Sequence, residues 1–149
     1  MYSSQGDIEN RIGDERLIQL ADLDGDGSAD SDVLTAALER ADGLIDAYLG
    51  RRYVVPVSPV PDIVRELAVD LAVYALHQTR RETLSERDRR AYEDALAFLR
   101  DAAAGRVELE ATRNTPEDVR VAPLTTTPLA THEPVFRPGE SGSSKLDEF

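Results

Sequence analysis

The segment Asp62–Gln78, DIVRELAVDLAVYALHQ, is apolar on nearly every side, and before His77 only Arg65, Glu66 and Asp70 interrupt it. A helix without a polar face cannot lie on the surface of a protein in water. With its charged interruptions it also falls short of the roughly 20 predominantly apolar residues that a bilayer crossing needs. The solution left is a central helix packed on all sides, so the rest of the chain must supply its covers. Pro61 suits the start of such a helix, and Asp62 places a carboxylate in its first turn, where it complements the helix dipole.

The covers can be placed by periodicity. Leu34, Ala37, Leu38, Ala41, Leu44, Ile45, Tyr48 and Leu49 recur at three- and four-residue steps, which predicts a long amphipathic helix stopped at Gly50. Tyr92, Ala95, Leu96, Leu99, Ala102 and Ala103 form a second such stripe, after a capping-box spacing at Ser85–Asp88 and before Gly105. Two short helices are expected upstream, over Gln5–Ile12 with Ser3 or Ser4 as cap, and over Asp14–Leu20 after Gly13. In RRYVVPVSPVPD, Pro56, Pro59 and Pro61 exclude an interior strand or a helix and predict an extended connector.

The fold class is therefore all-α, a small helical bundle around one central apolar helix. Its helical domain spans residues 1–105, and residues 106–149 form an extended Pro/Thr-rich C-terminal arm with five of the eight prolines. Within the arm, RVELEA and DVRVAP alternate well enough for short strands. Its composition predicts disorder in isolation and order gained on a partner, with Val135 and Phe136 as the anchor.

The formal net charge of -12 is unevenly spread. Residues 1–50 hold 12 Asp/Glu against 3 Arg, residues 51–104 balance at 9 and 9, and residues 105–149 hold 8 acids against 5 bases. So acidic a chain is repelled by free nucleic acid, whose binding depends on Lys/Arg neutralising phosphates. An acidic first third beside an arginine-bearing middle suits head-to-tail association of identical subunits; it equally describes two solvated faces. The chain has no Cys, which excludes disulfides, thiolate zinc sites and thiol chemistry. Its N-terminus lacks a basic stretch followed by an apolar one, so a cytoplasmic product is expected.

The conspicuous chemical motif is DLDGDGSAD, Asp22–Asp30. With Asp22 as position 1, Asp24, Asp26, Ser28 and Asp30 fall at positions 3, 5, 7 and 9 of an EF-hand loop, and Gly27 supplies the turn at position 6. Position 12, where a bidentate Glu belongs, is Val33. Two readings stay open: a weak or structural Ca²⁺ site, or a metal-free Asx/Gly turn whose Asp30, Ser31 and Asp32 cap the long helix. No cofactor is required by either.

Arginines gather at helix ends: Arg51 and Arg52, Arg80 and Arg81, then Arg87, Arg89 and Arg90. Helix C-termini, where the first two pairs fall, favour cations in any case; the functional reading is a patch that meets acidic surfaces of a neighbour. Catalysis has little support. The two histidines, His77 on the core helix and His132 in the arm, form no triad or metal spacing, and no phosphate-binding glycine loop or HExxH is present. His77 reads as a packed helix-end histidine.

Several of these pieces combine into a pattern: D-I-x-x-R-I-G from Asp7, then L-I-Q-L at Leu17, the Asp22–Asp30 loop, and I-D-A-Y-L with Arg52, Tyr53 and Pro56. L-A-x-D-L-A-x-Y-x-L follows from Leu67, and Y-E-D-A-L-x-F-L from Tyr92. In this order, over residues 5–105, the chain resembles the small phage protein family typified by a phage Mu virion-morphogenesis protein. The resemblance implies a helical adaptor of the virion neck, a head–tail connector made in the host cytoplasm. It further implies a homo-oligomeric ring, commonly a dodecamer, between the portal protein and the tail-completion or stopper protein. No membrane is involved, DNA is met only in the lumen, and the acidic loop is a recurrent element rather than a sensor. From another class, the alternative is a small calcium-binding regulatory module using Asp22–Asp30; an acidic DNA mimic is weaker, because the acidic excess is confined largely to one third.

Overall fold

The computed structural model describes residues 1–114, which form five helices: α1 (Gln5–Ile12), α2 (Asp14–Ala21), α3 (Ser31–Leu49), α4 (Asp62–Arg80) and α5 (Glu86–Ala104). Helix α4 is the hub and touches each of the other four. Its buried residues, among them Val64, Leu67, Ala68, Leu71, Ala72, Val73 and Leu76, run round its whole circumference. Helices α3 and α5 pack against α4 and against each other, while α1 and α2 pack against a different side of it. The all-α bundle around a central apolar helix is the architecture observed.

Local chemistry sets the helix ends. The Ser4 hydroxyl accepts from the Asp7 N–H at 3.3 Å, and the Asp7 carboxylate accepts from the Ser4 N–H at 2.8 Å, a complete capping box. Ser85 likewise accepts from the Asp88 N–H at 3.1 Å to start α5. Gly105 ends α5 in the left-handed region at φ 77, and a Cβ there would also collide with the Arg52 guanidinium. Gly50 is the C-cap of α3, the stop expected of it, without a left-handed turn. It stays right-handed at φ -58, and a Cβ there would meet the Asp46 carbonyl oxygen at 2.8 Å and Val55 Cγ2 at 3.3 Å.

The connector after α3 is knitted into the body by two buried tyrosines. The Tyr2 hydroxyl accepts from the Val57 N–H at 2.9 Å and donates to the Asp46 carboxylate; burial first, and then the bond to Asp46, push its pKa up to about 12 against the lowering pull of the Val57 N–H. The Tyr53 hydroxyl accepts from the Leu109 N–H at 3.1 Å, and Leu109 itself is buried. Residues 106–114 thus run back along the connector. Val54 N–H donates to the Thr112 carbonyl, Asn114 N–H donates to the Arg52 carbonyl, and the Asn114 amide donates to the carbonyls of Gly50 and Tyr53.

RVELEA forms no strand, although its alternation predicts one. Among the described residues the β pairing is a single isolated antiparallel bridge, Tyr53 to Arg113. The reason is that Arg106 N–H is drawn back to the Asp101 carbonyl and Leu109 is held by Tyr53, so no neighbour runs alongside for long enough to make a ladder. DVRVAP, His132, Val135 and Phe136 lie outside the described residues.

Candidate functional site: the acidic loop, the arginines and a tyrosine groove

Between α2 and α3 the Asp22–Asp30 loop is held by its own carboxylates. Asp22 accepts from the N–H groups of Gly25 (2.6 Å) and Gly27 (3.0 Å), Asp24 from that of Asp26, and Asp26 from that of Ser28. Asp30 accepts from the Leu23 N–H at 2.9 Å, and Arg80 donates to the Asp22 carbonyl at 2.5 Å. These backbone donors, that of Gly25 foremost, hold the Asp22 carboxyl below its usual range. Gly25 and Gly27 both adopt positive φ, which the tight turns require. Oxygens of Asp22, Asp24 and Asp30 lie within 4.8 Å of one another and could face a cation; the Asp26 carboxylate stands outside that group. Val33, at the twelfth position, is partly buried against the core. Asp30 is the N-cap residue of α3, but its side chain bonds Leu23 rather than the helix start.

The arginines divide into two sets. Arg52 lies over Gly105 with its Nε buried, Arg80 clamps the acidic loop, and Arg89 and Arg90 pair with Glu86 one turn back, Arg89 also reaching Glu93. Arg80, Arg89 and Arg90 are engaged within the subunit, whereas the buried Arg52 Nε has no hydrogen-bond partner among the described residues. Arg51, Arg81 and Arg87 are exposed, and none makes an ion pair among the described residues. Arg87 borders a cleft of about 360 Å³ whose walls include Arg11, Arg16, Asp70 and Asp88.

That cleft contains contacts between distant segments. Arg11 of α1 grips the Asp70 carboxylate of α4 through Nε and an Nη at 3.0 and 2.5 Å. Burial raises the Asp70 pKa, against the opposing pull of Arg11. Arg16 pairs with Glu82 at 3.3 Å. His77, 1% exposed, sits with Nε2 3.6 Å from Asp88 and Nδ1 3.9 Å from Glu82, and Nδ1 makes no hydrogen bond. Its pKa is lowered, first by burial and then by Arg16.

On the side of α4 facing α3 and α5 runs a second groove of about 350 Å³. Arg40, Gly43, Leu44 and Ala47 of α3 form one wall, with Leu71 and Tyr74 of α4 and Tyr92 of α5 opposite. The Tyr74 and Tyr92 rings stack at 3.6 Å, nearly parallel at 10°. Burial and the neighbouring Tyr74 and Tyr48 raise the Tyr92 pKa. No carboxylate lines this groove.

Sequence reasoning about interfaces concentrated on arginines and missed this groove. The available signal was that Tyr48, Tyr74 and Tyr92 fall on polar-facing edges of three apolar stripes. Asp70 carried a signal too, since a lone acid in an apolar helix calls for a cation.

The family model described as "Bacteriophage Mu, Gp36" matches residues 2–125, a span that includes all five helices. The "Mu-like prophage FluMu protein gp36" of Haemophilus influenzae is 33% identical over 109 residues, covering 73% of this chain and 75% of that protein.

Proposed function

The chain belongs to the bacteriophage Mu gp36 family, and from that premise we propose that it is a structural virion protein, the head–tail connector of a tailed phage. The observation that carries the proposal is the extent of the family match, which takes in the whole helical body rather than one motif. The family and the relative are both named as phage proteins. Among the described residues the grouped ionisable side chains are largely tied up with one another, as in Arg11–Asp70 and Arg16–Glu82, which suits a rigid assembly part better than an enzyme. No helix among them is long and apolar enough to cross a membrane.

In this reading the subunit forms a ring, a dodecamer by the family's resemblance to neck adaptors, between the portal and the tail-completion or stopper protein. Arg51, Arg81 and Arg87 meet acidic surfaces of neighbours, and Val135 and Phe136 anchor the C-terminal arm on a partner. DNA passes only through the lumen. The test is to mix the chain with purified portal and examine the product by electron microscopy and mass photometry. A ring capping the portal is expected, as are filled, tailless heads from phage lacking the gene. A persistent monomer that never joins the portal overturns the proposal.

The grouping of Asp22, Asp24 and Asp30 favours a second reading, a calcium-binding regulatory module. Sub-millimolar Ca²⁺ binding accompanied by a large change in helicity or exposed apolar surface would replace the connector reading with this one.

A further inference from the structure

We propose that the Leu23 loop of one copy seats in the tyrosine groove of the next, giving a head-to-tail contact whose repetition closes a ring. The inference rests on the connector reading only in that copies of the chain meet.

Four observations converge on it. Leu23 is 50% exposed, yet its backbone is pinned by Asp30 and the surrounding Asx turns, so the loop presents an apolar side chain without needing to be ordered on contact. The groove has the complementary composition, with stacked tyrosines and an arginine, residue types enriched at interfaces, beside the apolar Leu44. Charge matches as well. The loop carries Asp22, Asp24, Asp26 and Asp30, whereas the groove holds Arg40 and no carboxylate. Arg40 makes no ion pair among the described residues, and neither does Arg51, which lies just past the end of α3.

The fourth observation is Gly43. It lies inside α3 on the groove wall, with a negative φ, and a Cβ built on it meets nothing within 4 Å. Glycine at such a place weakens the helix, and no packing among the described residues calls for it. A backbone or side chain arriving from outside does.

The loop cannot fill its own groove. It joins α3 at Ser31, and the groove is centred near Leu44, about 20 Å along the helix at 1.5 Å per residue. A projection and a recess on separate parts of one subunit make a heterologous contact, which generates closed rings when the rotation permits.

The absence of cysteine allows a direct test. Leu23→Cys and Gly43→Cys, each prepared in a separate chain, mixed and mildly oxidised, are expected to give the mixed 23–43 disulfide as the main cross-link, identified by mass spectrometry. Gly43→Ala is expected to raise the melting temperature by a few degrees while weakening self-association about tenfold, a split that a purely structural glycine does not produce. Ala47→Arg, at an exposed position, blocks the same groove without touching the core. Charge reversal at Arg40→Glu weakens association, and Asp24→Arg in the same chain restores it. The proposal is overturned by a 23–23 disulfide between two Leu23→Cys chains as the main product, or by no mixed disulfide at the highest soluble concentration with or without portal. It is equally overturned if Gly43→Ala stabilises the chain and leaves association intact. Portal capture without the disulfide sinks this contact alone; the disulfide without portal capture sinks the connector reading alone.

Discussion

At the scale of single residues, the buried charges of the cleft make the sharpest predictions. His77 holds a proton less well in the folded chain than its ordinary value of 6.5 implies, chiefly because it is buried. Between 6.5 and the lowered folded value the unfolded chain therefore binds more protons, and stability falls as pH falls. Melting temperature should decline from pH 7 to 5.5, and His77→Gln should flatten that slope in a pH series of thermal melts. Arg11→Ala leaves Asp70 partly buried without its partner, a loss of about 1–3 kcal/mol at pH 7 by urea unfolding. Because the folded Asp70 pKa is already raised, protonation relieves this penalty, so the deficit should shrink towards pH 4. Asp70 announced in the sequence that it needed a cation; which arginine answered, 59 residues away, was not legible, since nothing local links α1 to α4. Arg51 and Arg52 illustrate the limit from the other side. Adjacent and chemically identical, one stays on the surface and the other turns onto Gly105, a destination that only the three-dimensional path of α5 defines.

Elements were far more legible, because a stripe of apolar residues repeats its message at every turn. The central helix, the two long covers and the caps at Ser4, Ser85 and Gly105 all follow from pattern and hydrogen-bond chemistry. Ser85→Ala should cost about 1 kcal/mol through the lost bond to the Asp88 N–H, measured by chemical unfolding. Gly105→Ala should cost more than Ser85→Ala in the same assay, since it adds a left-handed strain to a collision with Arg52. The expected strand over RVELEA failed where the long helices succeeded because six alternating residues specify a strand only if a partner strand exists. Here the available neighbour is a proline-broken connector that offers one bridge.

For the whole molecule, the acidic loop is the feature whose meaning changed most between spacing and geometry. Its ligand spacing is that of a calcium loop, but both Asp22 oxygens already serve backbone N–H groups, and the twelfth residue is tucked against the core. Calcium has to displace those bonds, so affinity should be no tighter than about 10⁻⁴ M, with helicity unchanged in a titration followed by circular dichroism and calorimetry. The tyrosine groove, by contrast, was hidden because its walls come from three helices whose relative rotation no sequence period encodes. A different consequence follows from the way Asn114 is held. It is covalently downstream of α5, but among the described residues its backbone and side-chain bonds end on Gly50, Arg52 and Tyr53, just past α3. Tension transmitted along the chain from residue 115 onward therefore enters the body at α3 and bypasses α5. It pulls on several hydrogen bonds at once, so a mechanical load on the C-terminal segment is shared there before any helix has to unwind.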